Sequence, residues 1–139
     1  WRKLISFVDQ NPSILSSSIK QNLLYGDSSK NQKVRLKQAV ENVLLSKIIN
    51  RLRYKFETRI TKKSPLSGGQ NHRIAIAREI IASNKRPIIL LDEPTSSIDE
   101  ETAKDLFNNI QASNPSLVLI IVSHQPYLLD FSHKLINLD

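Results

Sequence analysis

The chain has no cysteine among its 139 residues, which excludes disulfides and thiolate metal sites. Methionine is absent too, and the chain starts at Trp1, as expected of an internal piece of a longer translation product. Nothing near that start has the build of a signal peptide. No apolar run approaches the roughly 18 residues needed to cross a bilayer; the longest, residues 88–91 and 117–122, have strand length. Glycine is scarcer than in most domains, with only Gly26, Gly68 and Gly69. A loop that cradles a triphosphate needs two glycines five residues apart, followed by Lys and Ser or Thr. No glycine pair here fits, so the chain has no P-loop of its own.

What is present is ordinary for one globular domain: 40% hydrophobic and 24% charged residues. The net charge of +7 is concentrated. Residues 30–63 carry eleven Lys or Arg against Glu41 and Glu57, and the remainder is slightly acidic. Such a segment is either a solvated helix face or a surface for an anionic partner, membrane headgroups or nucleic acid. Tyr54 and Phe56 are too few to stack bases, which favours the solvated face.

Periodicity gives an outline. Residues 3–9 have strand character and run into the loop chemistry of Asn11-Pro12-Ser13. Ser17 or Ser18 is placed to cap a short helix through Leu24, ended by Gly26-Asp27. Leu36, Val40, Val43, Leu44 and Ile48 recur at helical spacing and predict one long helix over 34–52. Residues 53–66 lack a period and read as loop. A helix over 69–83 follows, with Ile74, Ala77, Ile80 and Ile81 on its apolar face. Pro87 opens a buried strand over 88–92. Asp99 can cap a helix striped by Ala103, Leu106, Phe107 and Ile110, with Glu100 and Glu101 favoured by its dipole. A strand over 117–122 and a short one over 135–138 complete the outline. Continuous apolar strands alternating with helices indicate an α/β fold, its parallel sheet covered on both faces.

Three places carry chemistry. Ser64-Pro65-Leu66-Ser67-Gly68-Gly69-Gln70 sits at the mouth of a helix, where bare N–H groups and the dipole suit an anion. Asp92-Glu93 ends one apolar strand, where the first carboxylate can hold Mg²⁺ through water and the second can activate an attacking water. Ser123-His124 ends the next strand. Neighbouring parallel strands deliver such residues to one ligand-binding edge.

These residues resemble the ATP-binding cassette (ABC) family. Leu66-Ser67-Gly68-Gly69-Gln70 matches its signature motif, and Arg73-Ile74-Ala75-Ile76-Ala77-Arg78-Glu79 is similar to the helix that follows. Residues 88–93 resemble the Walker B strand with its glutamate. Ser96-Ser97-Ile98-Asp99 resembles the D-loop, Ser123-His124 the switch histidine, and Phe7-Val8-Asp9-Gln10-Asn11-Pro12 the Q-loop. The stretch Ser18-Ile19-Lys20-Gln21-Asn22-Leu23-Leu24-Tyr25-Gly26 is similar to exporters that fuse cassette and membrane domain. The departures are the missing Walker A half, a pre-signature stretch (Arg59-Ile60-Thr61-Lys62-Lys63-Ser64) without the usual Gly-Glu, and Asn71-His72 where a basic residue and glutamine are usual.

The resemblance implies a P-loop NTPase-like fold: a partial parallel sheet flanked by helices, with an α-helical signature subdomain. Residues 11–83 would form that subdomain, and residues 1–10 and 84–139 the Walker B half of the core. It implies ATP and Mg²⁺ as ligands, and a cassette dimer in which Ser67, Gly68, Gly69 and Gln70 meet ATP held by the other cassette. Asp92 and Gln10 would serve the metal, Glu93 and His124 catalysis, and Asp99 communication across the dimer. A second cassette and a transmembrane domain are the expected partners, at the cytoplasmic face of a membrane, with no nucleic acid. A soluble ABC ATPase acting on nucleic acid or the translation machinery, and a non-catalytic interaction fragment, are the alternatives. Two corollaries are open to structural scrutiny. Loss of the Walker A strand should leave residues 88–91 along an open sheet edge. A side chain at Gly69 should fill space needed by phosphate.

Overall fold

The structure is a computed structural model that describes residues 4–27, 31–61, 66–83, 86–132 and 134–136. Three parallel strands form one sheet: β1 (Ile5–Val8), β2 (Ile88–Asp92) and β3 (Val118–Val122), in the order β1-β2-β3. Val8 pairs with Leu91, and Leu91 with Ile121. Between β1 and β2 run the helices α1 (Ile19–Leu23), α2 (Gln32–Asn42), α3 (Ser46–Arg51) and α4 (Gly68–Ala82); α5 (Glu100–Ser113) joins β2 to β3.

Helix starts follow local chemistry. The Ser18 hydroxyl accepts the Gln21 N–H at 3.2 Å, while the Gln21 side chain accepts the Ser18 N–H at 3.2 Å, a reciprocal capping box. The fully buried Asn22 then ties the preceding loop to α1, accepting from Leu15 N–H and donating to the carbonyls of Leu15 and Ser18. Asp99 caps α5, accepting from the Thr102 N–H at 2.8 Å and the Thr102 hydroxyl at 2.7 Å.

The helix expected over 34–52 is two helices. Leu44 sits at φ 57, and the N–H groups of Leu44 and Leu45 reach back to the carbonyls of Glu41 and Val40. This is the paired-bond arrangement that ends a helix with a left-handed residue, here leucine rather than glycine. The break moves the buried stripe by one position: Leu45 and Ile49 are buried, where an unbroken helix would bury Leu44 and Ile48. The Arg73 guanidinium of α4 donates to the carbonyls of Val43 and Leu44, each at 3.3 Å, and so holds the bend.

Helix α4 is the centre of the molecule, with ten of its fifteen residues buried. Burial extends past the expected apolar face to His72, Arg73 and Glu79; Glu79 is paired with Arg78 at 3.2 Å and Arg86 at 3.7 Å. One face of the sheet, carrying Ser6, Val8, Ile89 and Leu91, is buried. The other face is not: Phe7, Val118, Ile120 and Val122 are 53%, 52%, 47% and 46% exposed. The sheet expected to be covered on both faces is therefore covered on one among the described residues. Nor do residues 88–91 lie at an edge, because β2 is central and paired on both sides.

The stretch expected as loop over 53–66 contains a 3-10 turn at Lys55–Glu57, a bridge between Ser18 and Arg59, and the buried Ile60; its residues 62–65 lie outside the described residues, as does Lys3 of the first expected strand. The strand expected over 135–138 is not formed at Leu135 and Ile136, which are exposed; its other positions lie outside the described residues. No helix among the described residues is long and apolar enough to cross a membrane.

Candidate functional site

Because all three strands run the same way, their C-terminal ends meet at one edge. Beyond β1 come Asp9 and Gln10, at the end of β2 Asp92 and Glu93, and beyond β3 Ser123 and His124. The sequence-selected residues Gln10, Asp92, Glu93 and His124 thus share that edge.

Glu93 is where the geometry is tightest. It leaves β2 at φ 44, a left-handed conformation that a non-glycine residue adopts only when its surroundings enforce it. Here its N–H is tied to the Val122 carbonyl at 2.9 Å, and the turn swings the side chain toward the end of β3. One carboxylate oxygen accepts the His124 N–H at 2.9 Å, and the other accepts the Ser123 hydroxyl at 3.1 Å. The His124 Nε2 lies 3.6 Å from the first oxygen. The carboxylate is largely buried at 14% exposure, whereas the imidazole is 96% exposed. A held carboxylate beside an open imidazole can orient a water molecule and accept its proton.

The second group is the start of α4. Ser67 and Gln70 form another capping box, with both bonds at 3.1 to 3.2 Å. The N–H groups of Gly68 and Gly69, in the first turn, have no intrahelical acceptor, so this helix mouth suits an anion. The two glycines differ. A Cβ on Gly68 would meet nothing within 4 Å. A Cβ on Gly69 would lie 2.6 Å from the Ser97 carbonyl oxygen and 3.2 Å from the Ile98 side chain. Within this chain, then, Gly69 is also where α4 packs closely against the segment leading to Asp99.

Charge follows burial and hydrogen bonding. The Thr102 N–H and hydroxyl hold the Asp99 carboxyl below its usual range, with the Arg73 charge a smaller aid. Burial pushes His72 below its ordinary value, and Asp9 partly restores it. Burial likewise lowers Arg73, against the opposing effect of Asp99. Arg73 is therefore linked both to the α2–α3 bend and to the Asp99 segment, a role that sequence alone did not single out. Ser123 was likewise read only as the neighbour of a histidine, yet it contacts Glu93 directly.

Among the described residues no three His, Cys, Asp or Glu side chains gather as a metal cage. The oxygen donors of Asp92 and Gln10 still fit Mg²⁺, which is typically bound by one or two carboxylates together with substrate phosphates.

A sequence profile described as ABC transporter matches residues 1–96. The lactococcin transport/processing ATP-binding protein LcnC-like of Lactococcus lactis subsp. lactis is 33% identical over 139 residues, covering 99% of this chain and 19% of that protein. The transport/processing ATP-binding protein ComA of Streptococcus pneumoniae is 31% identical over 139 residues, with 99% and 19% covered. The solved structure of a bacterial Atm1-family ABC exporter with ATP bound superposes with a TM-score of 0.81 at 26% identity, over 93% of this chain and 23% of that one. The chain thus spans about a fifth of the length of these relatives, and its parallel sheet and helices are those of a P-loop NTPase-like cassette. On the profile match and on identity above 30% along nearly its whole length, the chain belongs to the ABC transporter family.

Proposed function

We propose that the chain forms the signature and Walker B parts of an exporter-type ABC nucleotide-binding domain, which hydrolyses ATP within a cassette dimer to power transport across a membrane. Residues 11–83 are the helical signature subdomain, and residues 1–10 and 84–139 the Walker B half of the core. The observation that carries this reading is Glu93, held by Ser123 and His124 at the C-terminal edge of a parallel sheet. Names among the relatives, such as the ATP-dependent lipid A-core flippase of Aliivibrio fischeri, 27% identical over 139 residues, support the link between ATP and transport.

In this reading Ser67, Gly68, Gly69 and Gln70 offer the mouth of α4 to the γ-phosphate of ATP held on the partner cassette. Glu93 polarises the attacking water, and His124 orients it and steadies the γ-phosphate. Asp92 and Gln10 would hold Mg²⁺, which would supply positive charge against the phosphates of the nucleotide. Asp99, at the start of α5, relays the state of one cassette to the other. Catalysis is positioning and charge stabilisation, as in phosphoryl transfer generally. The partners are a second cassette and a transmembrane domain, at the cytoplasmic face of the membrane.

The test is Glu93→Gln in the full-length protein. The change keeps shape and removes the base, so turnover should fall by about 10²–10⁴-fold with ATP binding preserved. A fall of less than about fivefold means that Glu93 is not the base.

A further inference from the structure

The Glu93 carboxylate raises a question that the proposed reaction does not answer: what fixes its plane. An ionised carboxylate only accepts hydrogen bonds, so the Ser123 hydroxyl, 3.1 Å from Oε2, must donate to it. The same hydroxyl oxygen accepts the Gln125 N–H at 3.2 Å. That bond occupies a lone pair and directs the hydroxyl proton toward Glu93. On the other side Oε1 takes the His124 N–H at 2.9 Å. The main chain of Glu93 is itself fastened to Val122. Backbone and both carboxylate oxygens are thus tied to residues 122–124, and Ser123 supplies the one side-chain hydroxyl in the arrangement.

We infer that Ser123 is a positioning residue for the ATPase reaction, locking the plane of the Glu93 carboxylate so that Oε1 faces the His124 imidazole. This rests on Glu93 acting on the attacking water. Without the hydroxyl, Oε2 loses its donor and the carboxyl group can turn about its terminal torsion, which is intrinsically soft. The base remains present and ionisable but points at the water for only part of the time.

The experiment compares Ser123→Ala, Ser123→Thr and Glu93→Gln in the full-length protein, by steady-state ATP hydrolysis and thermal melting. Ser123→Ala should lower kcat about tenfold, the order expected when a catalytic group is misplaced by a fraction of an ångström. KM for ATP should stay within about twofold, because no contact to substrate is lost. The melting temperature should be unchanged, and Ser123→Thr, which keeps the hydroxyl, should recover most of the rate. Equal impairment of the Ala and Thr variants overturns the assignment, as does a joint change in KM and melting temperature. Loss of turnover in Glu93→Gln with full activity in Ser123→Ala overturns the positioning role alone. Full activity in Glu93→Gln overturns both it and the catalytic reading on which it rests.

Discussion

Substituting the two signature glycines separately distinguishes packing inside the chain from contact with a ligand. Alanine at Gly69 would place its Cβ 2.6 Å from the Ser97 carbonyl oxygen. That atom belongs to the backbone and cannot rotate aside. Overpacking of this kind costs about 1–3 kcal/mol, while the better helix propensity of alanine returns at most about 1 kcal/mol. Gly69→Ala should therefore lose on the order of 1–2 kcal/mol of stability. Gly68→Ala meets nothing and should lie between neutral and about 1 kcal/mol more stable. Urea denaturation of the purified cassette, comparing midpoints at unchanged slope, measures the difference. Equal midpoints, or a larger loss at Gly68, would refute the packing argument. The same contrast selects the probe for phosphate. Gly69→Asp would disturb the segment at Ser97 as well as any ligand, so its effect on dimerisation could not be assigned. Gly68→Asp puts a carboxylate at the open helix mouth, where the dipole favours it for folding and where it repels a γ-phosphate. Gly68→Asp should keep the fold and monomer affinity for ATP but lose ATP-dependent dimerisation.

Three further outcomes are expected. His72 is buried with its pKa below the ordinary value, so the folded state resists protonation; stability is full above about pH 6.5 and falls as pH drops through that value. Melting temperatures between pH 7.5 and 5.5 should show this fall, and His72→Gln should flatten it; Asp99, lowered from an ordinary 3.8, loses its contribution only in a more acidic window. Arg73→Met removes the bonds to the Val43 and Leu44 carbonyls and should cost about 1–3 kcal/mol by chemical denaturation. The isolated chain should self-associate in sedimentation through the exposed Val118, Ile120 and Val122, and Ile120→Lys should reduce that association without unfolding it.

Features that depend on a few neighbouring residues were legible in the sequence. The cap at Asp99 joins positions three apart, so the sequence determined where that helix begins; it left Ser17 or Ser18 to cap α1, where Ser18 does so, and it started α4 one residue late, at 69 instead of Gly68 behind the Ser67 cap. The apolar runs that became β2 and β3 were equally plain, because a short continuous apolar run bounded by turn residues reads as a strand. The carboxylate and imidazole at their ends could be named as a candidate site because parallel strands present their ends at one edge. Tertiary structure decided the rest. Leucine disfavours φ above zero, so nothing local announced the bend at Leu44; Arg73 supports it from about thirty residues away. Strand order and the uncovered sheet face depend on pairings between distant segments, which periodicity within one segment does not encode. For the same reason the neighbour of Gly69 proved to be the Ser97 carbonyl. The hydroxyl of Ser123 acquired its partner only when β2 and β3 came into register, because a hydrogen bond needs two groups within about 3 Å and the sequence holds these two thirty positions apart.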